Sequence, residues 1–179
     1  LSMRSRNTGN LPYLFQNEYK TIQKLHTGPN RSLYGATSIK NNSEYMIKQI
    51  VIENKEEYLE MENLLPMVAK LELIECSKLV KYYQFHNRDI TPGIHELCLV
   101  SDRCVSSLED HLLILGKKRI FTFENVTDLI LDCMDAIKAL HNAQIIYLGL
   151  HPKNILYTRE KKYKISDPVF NTVYLSNVM

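Results

Sequence analysis

The chain has no tryptophan, only six glycines in 179 residues, and four cysteines that form no C-x-x-C pair. Those cysteines are Cys76, Cys98, Cys104 and Cys133. Zinc ribbons and redox motifs need paired cysteines at short spacing, so this pattern argues against both. It favours reduced thiols in an intracellular, cytoplasmic protein.

Long apolar runs and a strong charge of either sign are also absent. No run approaches the ~18 apolar residues of a membrane-spanning helix, and no signal peptide opens the chain. The formal charge of +2 is close to neutral, which argues against a nucleic-acid partner. The composition is that of a globular protein with one domain or two small lobes. Because the chain begins with Leu1, we expect it to be an excerpt or a processed product.

The first third of the chain predicts strands. Residues 1–18 are rich in Asn, Gly, Pro, Ser and Arg, and are predicted to form an extended lead-in. Strands are predicted at Tyr19–Leu25, Ser32–Ile39 and Tyr45–Ile52, because breaker residues separate runs of strand-forming residues. These strands alone predict an antiparallel sheet and need no ligand.

The middle of the chain predicts a helix and two more strands. Acidic residues in the first turn predict a helix over Lys55–Leu65, which Pro66 should end or kink. Strands are predicted at Leu79–Phe85 and His95–Val100, with a turn over Asn87–Gly93 between them.

The last third predicts helices followed by a hairpin. The pattern Ser107-Leu-Glu-Asp110 indicates a capped helix that ends at Leu115. A second helix, capped by Thr122, carries an apolar stripe that we interpret as core. The stripe contains Val126, Leu129, Ile130, Cys133, Met134, Ile137, Leu140 and His141. Residues Ile155–Thr158 and Lys162–Ser166 predict a hairpin.

The segment Ala136–Leu156 resembles the catalytic segment of protein kinases, in which a helix leads into a loop of the pattern H-R-D-L-x-x-x-N. Tyr147 stands at the His position and Gly149 at the Asp position, whereas Leu150 and Asn154 match the pattern. In a kinase that Asp accepts the proton of the substrate hydroxyl. Glycine has no side chain for this role, so the resemblance implies that Gly149 leaves the base position empty.

Further motifs of the family fall on the chain in the expected order. Only Gly28 remains of the Gly-rich loop, because His26 and Arg31 replace the other two glycines. Lys48 matches the Lys of V-A-I-K, and its partner on the following helix is predicted to be Glu62, with Glu60 as the alternative. The resemblance implies that these residues belong to a nucleotide site.

Two later motifs complete the resemblance. Ser101 stands at the gatekeeper position, followed by the hinge residues Asp102-Arg103-Cys104 that grip adenine in the family. Asp167 stands at the Asp of D-F-G, and Pro168-Val169 replaces its Phe and Gly. Asn154 and Asp167 are therefore the implied magnesium ligands, provided that a nucleotide binds.

The resemblance implies an α+β, protein-kinase-like fold with two lobes. We expect a five-stranded antiparallel sheet with one helix in a small lobe at residues 19–104, and the first part of a mainly helical lobe at residues 105–179. The segment His151-Pro152-Lys153-Asn154 is similar to the form found in Ser/Thr kinases. Nothing similar to A-P-E follows. We therefore expect a kinase domain cut after the D-F-G position, whose helical lobe exposes part of its apolar face.

The function implied is that of a pseudokinase, a kinase-like domain without phosphotransfer activity. Such a domain acts through a protein partner, by scaffolding or by allosteric regulation. The alternative is a weak or unorthodox Ser/Thr phosphotransferase that uses Lys48, Glu62, Asn154 and Asp167. The altered Gly-rich loop and Pro168 imply that Mg-ATP binds weakly or not at all. The sequence does not identify the partner.

Overall fold

The computed structural model of the chain describes residues 15, 17–28, 30–115, 122–166 and 172–174. Contacts along the chain divide it into two units. Unit 1 comprises Leu1–Asn63 and Tyr82–Arg103, and unit 2 comprises Leu64–Lys81 and Cys104–Met179. Most of the predicted lead-in falls outside the described residues.

Unit 1 contains a five-stranded antiparallel sheet, which confirms the prediction. Its strands are β1 (Tyr19–Thr27), β2 (Arg31–Ser38), β3 (Glu44–Ile52), β4 (Tyr82–Thr91) and β5 (Ile94–Asp102). They pair in the order β1-β2-β3-β5-β4. The runs of strand-forming residues that predicted the first three strands lie in this sheet, and their side chains alternate between its two faces.

The hairpin between β4 and β5 is tighter than predicted. The predicted turn over residues 87–93 is wrong, because β4 continues to Thr91 and pairs there with Ile94. Pro92 and Gly93 alone make the turn, with Gly93 at φ 82°. Proline followed by glycine with positive φ suits the two central positions of a type II turn. Leu79, predicted to begin β4, instead forms an isolated parallel bridge to Ile165 within unit 2.

Pro66 was predicted to end or kink the helix that begins at Lys55. Helix α1 (Lys55–Glu72) does not end there but continues for six more residues. Proline removes one helical hydrogen bond and costs about 3 kcal/mol in a helix interior. Burial of an aliphatic side chain returns about 1.5–3 kcal/mol. The buried side chains that follow the proline are Met67, Val68 and Leu71. The free energy gained by burying these side chains exceeds the cost of Pro66, so the helix continues beyond the proline.

One face of the sheet in unit 1 buries an aromatic and aliphatic cluster. Its members are Phe15, Tyr19, Tyr34, Ala36, Ile47, Cys98 and Val100. The Phe15 ring packs edge-on against Tyr19 and against His86, with centroids 5.7 and 5.0 Å apart. Phe15 therefore fixes the end of the lead-in to this face.

A polar chain on the same face joins side chains from all five strands. Arg88 Nε donates to Glu96 Oε2 at 2.6 Å, and Gln49 Nε2 donates to Glu96 Oε1 at 2.7 Å. The Tyr34 hydroxyl donates to Gln49 Oε1 at 3.1 Å, and Lys24 Nζ lies 5.4 Å from the centre of the Tyr34 ring. Glu96 is only 2% exposed, so these partners compensate a carboxylate that has left water.

Among the described residues, unit 2 contains the last part of α1 from Leu64 onward, two further helices and short strands. The two further helices are α2 (Leu108–Leu115) and α3 (Phe123–Asn142). The strands are β6 (Cys104–Ser107), β7 (Ile145–Tyr147), β8 (Ile155–Thr158), β9 (Tyr163–Ile165) and β10 (Thr172–Tyr174). Strands β6, β8 and β9 form one antiparallel sheet, and β10 pairs with β7. Both predicted helices and the predicted β8–β9 hairpin are present.

The apolar stripe of α3 is only partly core, contrary to the prediction. Leu140 of the predicted stripe is fully buried, but Met134 is 60% exposed and His141 is exposed too. Outside the predicted stripe, Ala136 is buried and Phe123 is 90% exposed. Val126 and Ile130, which precede Met134 at helical spacing, are exposed as well. The helix therefore has one covered and one uncovered apolar face.

None of the helices in the described part of the chain combines the length and the apolar character needed to cross a membrane. All four cysteines are free thiols. Burial raises the pKa of the Cys98 thiol, and the neighbouring Glu96 carboxylate raises it further. Cys98 is therefore a packed thiol with little tendency to ionise.

Candidate functional site

The loop that resembles the kinase catalytic loop follows strand β7 in unit 2. Tyr147, the last residue of β7, is buried, and so is Gly149. A short 3-10 helix at Pro152–Asn154 then leads into β8. Its His151 side chain accepts a hydrogen bond from the Lys153 N–H and so caps the 3-10 helix. The sequence Pro-Lys-Asn suits this position, because proline is favoured in the first turn of a helix.

Hydrogen bonds hold the loop in shape around the carbonyl of Gly149. Asn154 Nδ2 donates to this oxygen at 2.9 Å. The Tyr147 hydroxyl lies 2.8 Å from it and 2.9 Å from the carbonyl oxygen of Ser166. A hydroxyl has one proton, so Tyr147 donates to one of these two carbonyls at a time. The loop thus keeps its framework through backbone groups and two side chains.

A second contact fixes Asn154 itself. The backbone N–H of Ser166 donates to the Asn154 carbonyl at 2.8 Å, and the Ser166 hydroxyl donates to the same oxygen at 3.1 Å. These bonds place the end of β9 beside the loop. Asp167, the implied magnesium ligand, follows immediately, but Asp167, Pro168 and Val169 lie outside the described residues.

The loop has no acid or base at the position where the kinase pattern requires one. Gly149 offers only its backbone, and its carbonyl already accepts the hydrogen bond from Asn154. Its neighbours Leu148 and Leu150 are apolar and exposed. Asn154 uses its amide nitrogen within the loop, which leaves the amide oxygen as the atom suited to a metal. Within the described residues, no group of three or more His, Cys, Asp and Glu side chains could hold a metal ion.

Lys48 occupies the middle of the sheet in unit 1. It lies opposite Leu33 on β2 and opposite Leu99 on β5. Directly opposed residues of neighbouring strands point to the same face, and so do residues two apart along a strand. The next row on the face of Lys48 therefore contains Gly35, Met46 and Ser101. Lys48 and Ser101 thus share a face of the sheet.

Glu62, the predicted partner of Lys48, lies on α1 and is exposed. It forms a hydrogen bond with Tyr58, and this bond raises the pKa of the tyrosine hydroxyl. The Tyr58 ring stacks on His95 of β5 with centroids 3.6 Å apart. The side chain of Glu60, the alternative partner, lies outside the described set. Pairing of Lys48 with either glutamate stays a prediction.

Gly28 is the remnant of the Gly-rich loop. Its N–H donates to the carbonyl of Arg31 at 2.7 Å, which closes the turn between β1 and β2. A Cβ atom at Gly28 would lie 3.5 Å from that carbonyl oxygen and 3.6 Å from His26 Nε2, which are ordinary contacts. The surroundings therefore do not require glycine here, and its N–H serves the turn.

The predicted gatekeeper Ser101 and the hinge residues that follow it have different surroundings. Ser101 is buried on the face of Lys48. Asp102 lies opposite Tyr45 on the other face, and its carboxylate accepts a hydrogen bond from the Tyr83 hydroxyl at 2.7 Å. Burial and this hydrogen bond raise the pKa of Tyr83. Cys104 begins β6 in unit 2 and is buried.

The structure also reveals a contact that sequence reasoning missed. The guanidinium group of Arg103 lies against the backbone of Gly35 in β2. The signal for this contact was Gly35 itself, because a glycine inside a strand often marks a close approach by another group.

A cavity of about 640 Å³ in unit 2 lies outside the catalytic-loop segment. Helices α2 and α3 and the β8–β9 hairpin provide most of its lining, through residues such as His111, Leu129, Tyr157 and Tyr163. None of the lining residues belongs to the loop from Tyr147 to Asn154. The cavity is therefore separate from the positions that the resemblance assigns to chemistry.

Comparison with known proteins agrees with the geometry of the sheet and the loop. The family model of the protein kinase domain matches residues 19–173, which is most of the chain. A comparison with curated proteins found no match. The matched segment includes the strand of Lys48, the hinge residues and the loop from Tyr147 to Asn154. The chain therefore belongs to the protein kinase family.

Proposed function

We propose that this domain is a pseudokinase, which acts by binding a protein partner and not by transferring phosphate. The observation that carries the proposal is Gly149 at the base position of a loop whose framework is kept. The hydrogen bonds from Tyr147 and Asn154 stabilise this framework without any contribution from an acid or a base.

The missing base has a large effect on the rate. General acid–base catalysis contributes roughly 10²–10⁴-fold, or about 3–5 kcal/mol of the activation barrier. Neither neighbour of Gly149 can take the role, because Leu148 and Leu150 carry no titratable group. Of the residues near the loop carbonyl, Tyr147 points its hydroxyl at backbone oxygens and so serves the structure.

The nucleotide site is weakened as well. In unit 1, the N–H of Gly28 is already bonded within its own turn. The Arg103 guanidinium lies against Gly35 of β2, two residues along that strand from Leu33, which pairs with Lys48. His26 and Arg31 add bulk where the family has glycine. These features support weak binding of Mg-ATP, or none.

A protein partner is supported by the apolar surface of unit 2. Val126, Ile130 and Met134 form an exposed stripe on α3, with Phe123 at its N-terminal end. Exposed contiguous apolar surface marks contact sites for other polypeptide segments. The formal charge of +2 gives no comparable support for a nucleic acid. Scaffolding and allosteric regulation are both functions that such a surface can serve.

The alternative function is a weak Ser/Thr phosphotransferase, and one observation favours it. Asn154 Nδ2 bonds to the loop carbonyl, which fixes the amide plane and leaves Oδ1 for a metal. Kinase chemistry depends mainly on positioning and electrostatics, so retained Lys48, Glu62, Asn154 and Asp167 could support slow transfer.

A phosphotransfer assay separates the two functions. We expect purified protein to incorporate no γ-phosphate into itself, a protein or a peptide, and to show no magnesium-dependent rise in melting temperature with millimolar ATP. The matched control is Lys48→Met, which removes the phosphate partner. Incorporation by the native chain that Lys48→Met abolishes would overturn the pseudokinase proposal in favour of the alternative.

A further inference from the structure

Arg103 is packed flat on β2 with unusual closeness. A Cβ atom placed on Gly35 would lie 3.1 Å from Arg103 Cζ and 3.2 Å from each terminal nitrogen, Nη1 and Nη2. Three nearly equal distances mean that this point stands over the centre of the guanidinium plane. These distances are tighter than ordinary van der Waals contact, so a Cβ here would require the guanidinium to move by a few tenths of an ångström. Glycine lets the plane lie in this position without that shift.

The same contact defines the face of the sheet on which Arg103 lies. Tyr34 and Ala36 flank Gly35 in β2 and point into the buried aromatic cluster. Because side chains alternate along a strand, the missing side chain of Gly35 would point to the opposite face, which is the face of Leu33 and Lys48. The guanidinium therefore lies on the face of Lys48, about 7 Å along the strands from its row.

The position of Arg103 is fixed further by burial and charge. Its side chain is 13% exposed, and its Nε lies 3.7 Å from Glu44 Oε2 at the start of β3. Met46, two residues after Glu44, lies next to Gly35 in the same row. The hinge end of this face is thus filled by a buried cation with an acidic neighbour and by a methionine.

We propose that Arg103, seated on Gly35, blocks the nucleobase half of the nucleotide site from within unit 1. This inference rests on the proposed function, since it concerns the same site and explains why the site takes no nucleotide. A planar base that lies over the row of Gly35, Met46 and Ser101 must displace the guanidinium from Gly35. It must also separate Arg103 from Glu44 and offer that carboxylate no cation in exchange. Because both side chains are partly buried, with exposures of 13% for Arg103 and 29% for Glu44, water screens their attraction only in part.

The test uses adenosine, which has no phosphate and is therefore indifferent to the altered Gly-rich loop. Binding is measured by titration calorimetry with the full chain. We expect no binding by the native protein at millimolar adenosine, and a gain of at least about tenfold in affinity for Arg103→Ala. Arg103→Lys keeps the charge but not the plane, and should gain less than Arg103→Ala.

Two further variants keep the test decisive. The matched control is Lys24→Ala, which removes one positive charge from the opposite face of the same sheet and should gain nothing. The double variant Glu44→Gln, Arg103→Ala also removes the negative charge that Arg103→Ala leaves behind. Binding can therefore be measured on this folded variant if Arg103→Ala alone unfolds. Thermal unfolding of the double variant confirms that it is folded, and we expect it to gain as much affinity for adenosine as Arg103→Ala does.

The proposal is overturned if adenosine binds the native chain as well as it binds the Arg103 variants, or if none of them binds it. It is also overturned if Lys24→Ala gains as much as Arg103→Ala. These outcomes leave the pseudokinase proposal in place, because that proposal falls only on transfer of γ-phosphate. The two failures are thus distinguishable.

Discussion

The catalytic-loop segment in unit 2 and the sheet in unit 1 depart from the kinase pattern in opposite ways. In the loop, a side chain that the pattern requires is absent, because Gly149 stands at the base position. In the sheet, the lysine of the pattern is present as Lys48, but the guanidinium of Arg103 lies on the same face. The loop lacks a side chain that the pattern requires, and the sheet contains an additional cationic side chain.

The two regions nevertheless share a kept framework. In the loop, Asn154 and Tyr147 hold the backbone around a residue without a side chain. In the sheet, β3 pairs in regular register with β2 and with β5 on either side of Lys48. A framework that persists without its chemistry should be maintained for stability and for surface shape. Variants of framework residues should therefore cost stability in both regions.

The largest effect is expected from the buried end of α3, which leads into the loop. Leu140 is 0% exposed, so Leu140→Ala should lower the free energy of unfolding by about 3–4 kcal/mol through lost burial and a cavity. Met134→Ala on the uncovered face of the same helix should cost less than about 1 kcal/mol. Urea unfolding measures both. Equal losses would mean that the uncovered stripe is packed in solution.

The next effect tests the framework of the sheet. Arg88→Met removes the cation bonded to the buried Glu96 and leaves that carboxylate without its charged partner. Because Arg88 is itself partly exposed, we expect a loss of about 3 kcal/mol, the lower end of the range for such pairs. The control is Lys81→Met, which breaks the exposed pair with Glu75 and should cost below about 1 kcal/mol. If Arg88→Met lowers the free energy of unfolding as little as Lys81→Met does, then Glu96 is effectively solvated.

A smaller effect is expected from the loop hydroxyl. Tyr147→Phe keeps the ring but removes the bond to the buried carbonyls of Gly149 and Ser166, which should cost about 1–2 kcal/mol. Tyr83→Phe in the sheet makes the same change at an exposed site, where water replaces the bond to Asp102, and should cost less. Chemical denaturation of both variants provides the comparison. A reversed order would contradict the view that Tyr147 holds the loop.

Much of the fold was predictable because its signals are local. Runs of strand-forming residues separated by breakers predicted the strands of unit 1, and the pattern Ser107-Leu-Glu-Asp110 predicted the start of α2. Errors arose where packing between distant residues decides. Pro66 should end a helix by its own chemistry, but burial of Met67 and Val68 carries α1 past it.

The candidate site was predictable in position but not in detail. Family motifs placed Lys48, Gly149 and Asn154 on a strand and a loop, and the structure has them there. The contact between Arg103 and Gly35 depends on the direction of a long side chain, which no local pattern specifies. The prediction that the apolar stripe of α3 is core failed for a related reason. Periodicity identifies an apolar face of a helix but not what covers that face.

Helices α2 and α3 of unit 2 begin with the same kind of cap but different chemistry. At α2, the N–H and the hydroxyl of Ser107 donate to the Asp110 carboxylate at 2.8 and 2.7 Å, and the Asp110 N–H donates back to Ser107 Oγ at 3.1 Å. At α3, Thr122 and Asn125 form the corresponding reciprocal pair. Only the first cap contains a titratable group. The hydrogen bonds from Ser107 lower the pKa of Asp110.

The smallest effect therefore depends on pH at one cap and not at the other. Because the pKa of Asp110 is lower in the folded state, its stabilisation is present above the unfolded pKa of about 4 and is lost as pH falls through the folded value. At pH 7, Asp110→Asn should cost about 0.5 kcal/mol, and the difference from the native chain should vanish in acid. Asn125→Gln at the other cap should cost a similar amount at every pH. Melting temperatures between pH 7 and pH 2 test this, and a constant difference for Asp110→Asn would show that the carboxylate contributes no charge-dependent stability to α2.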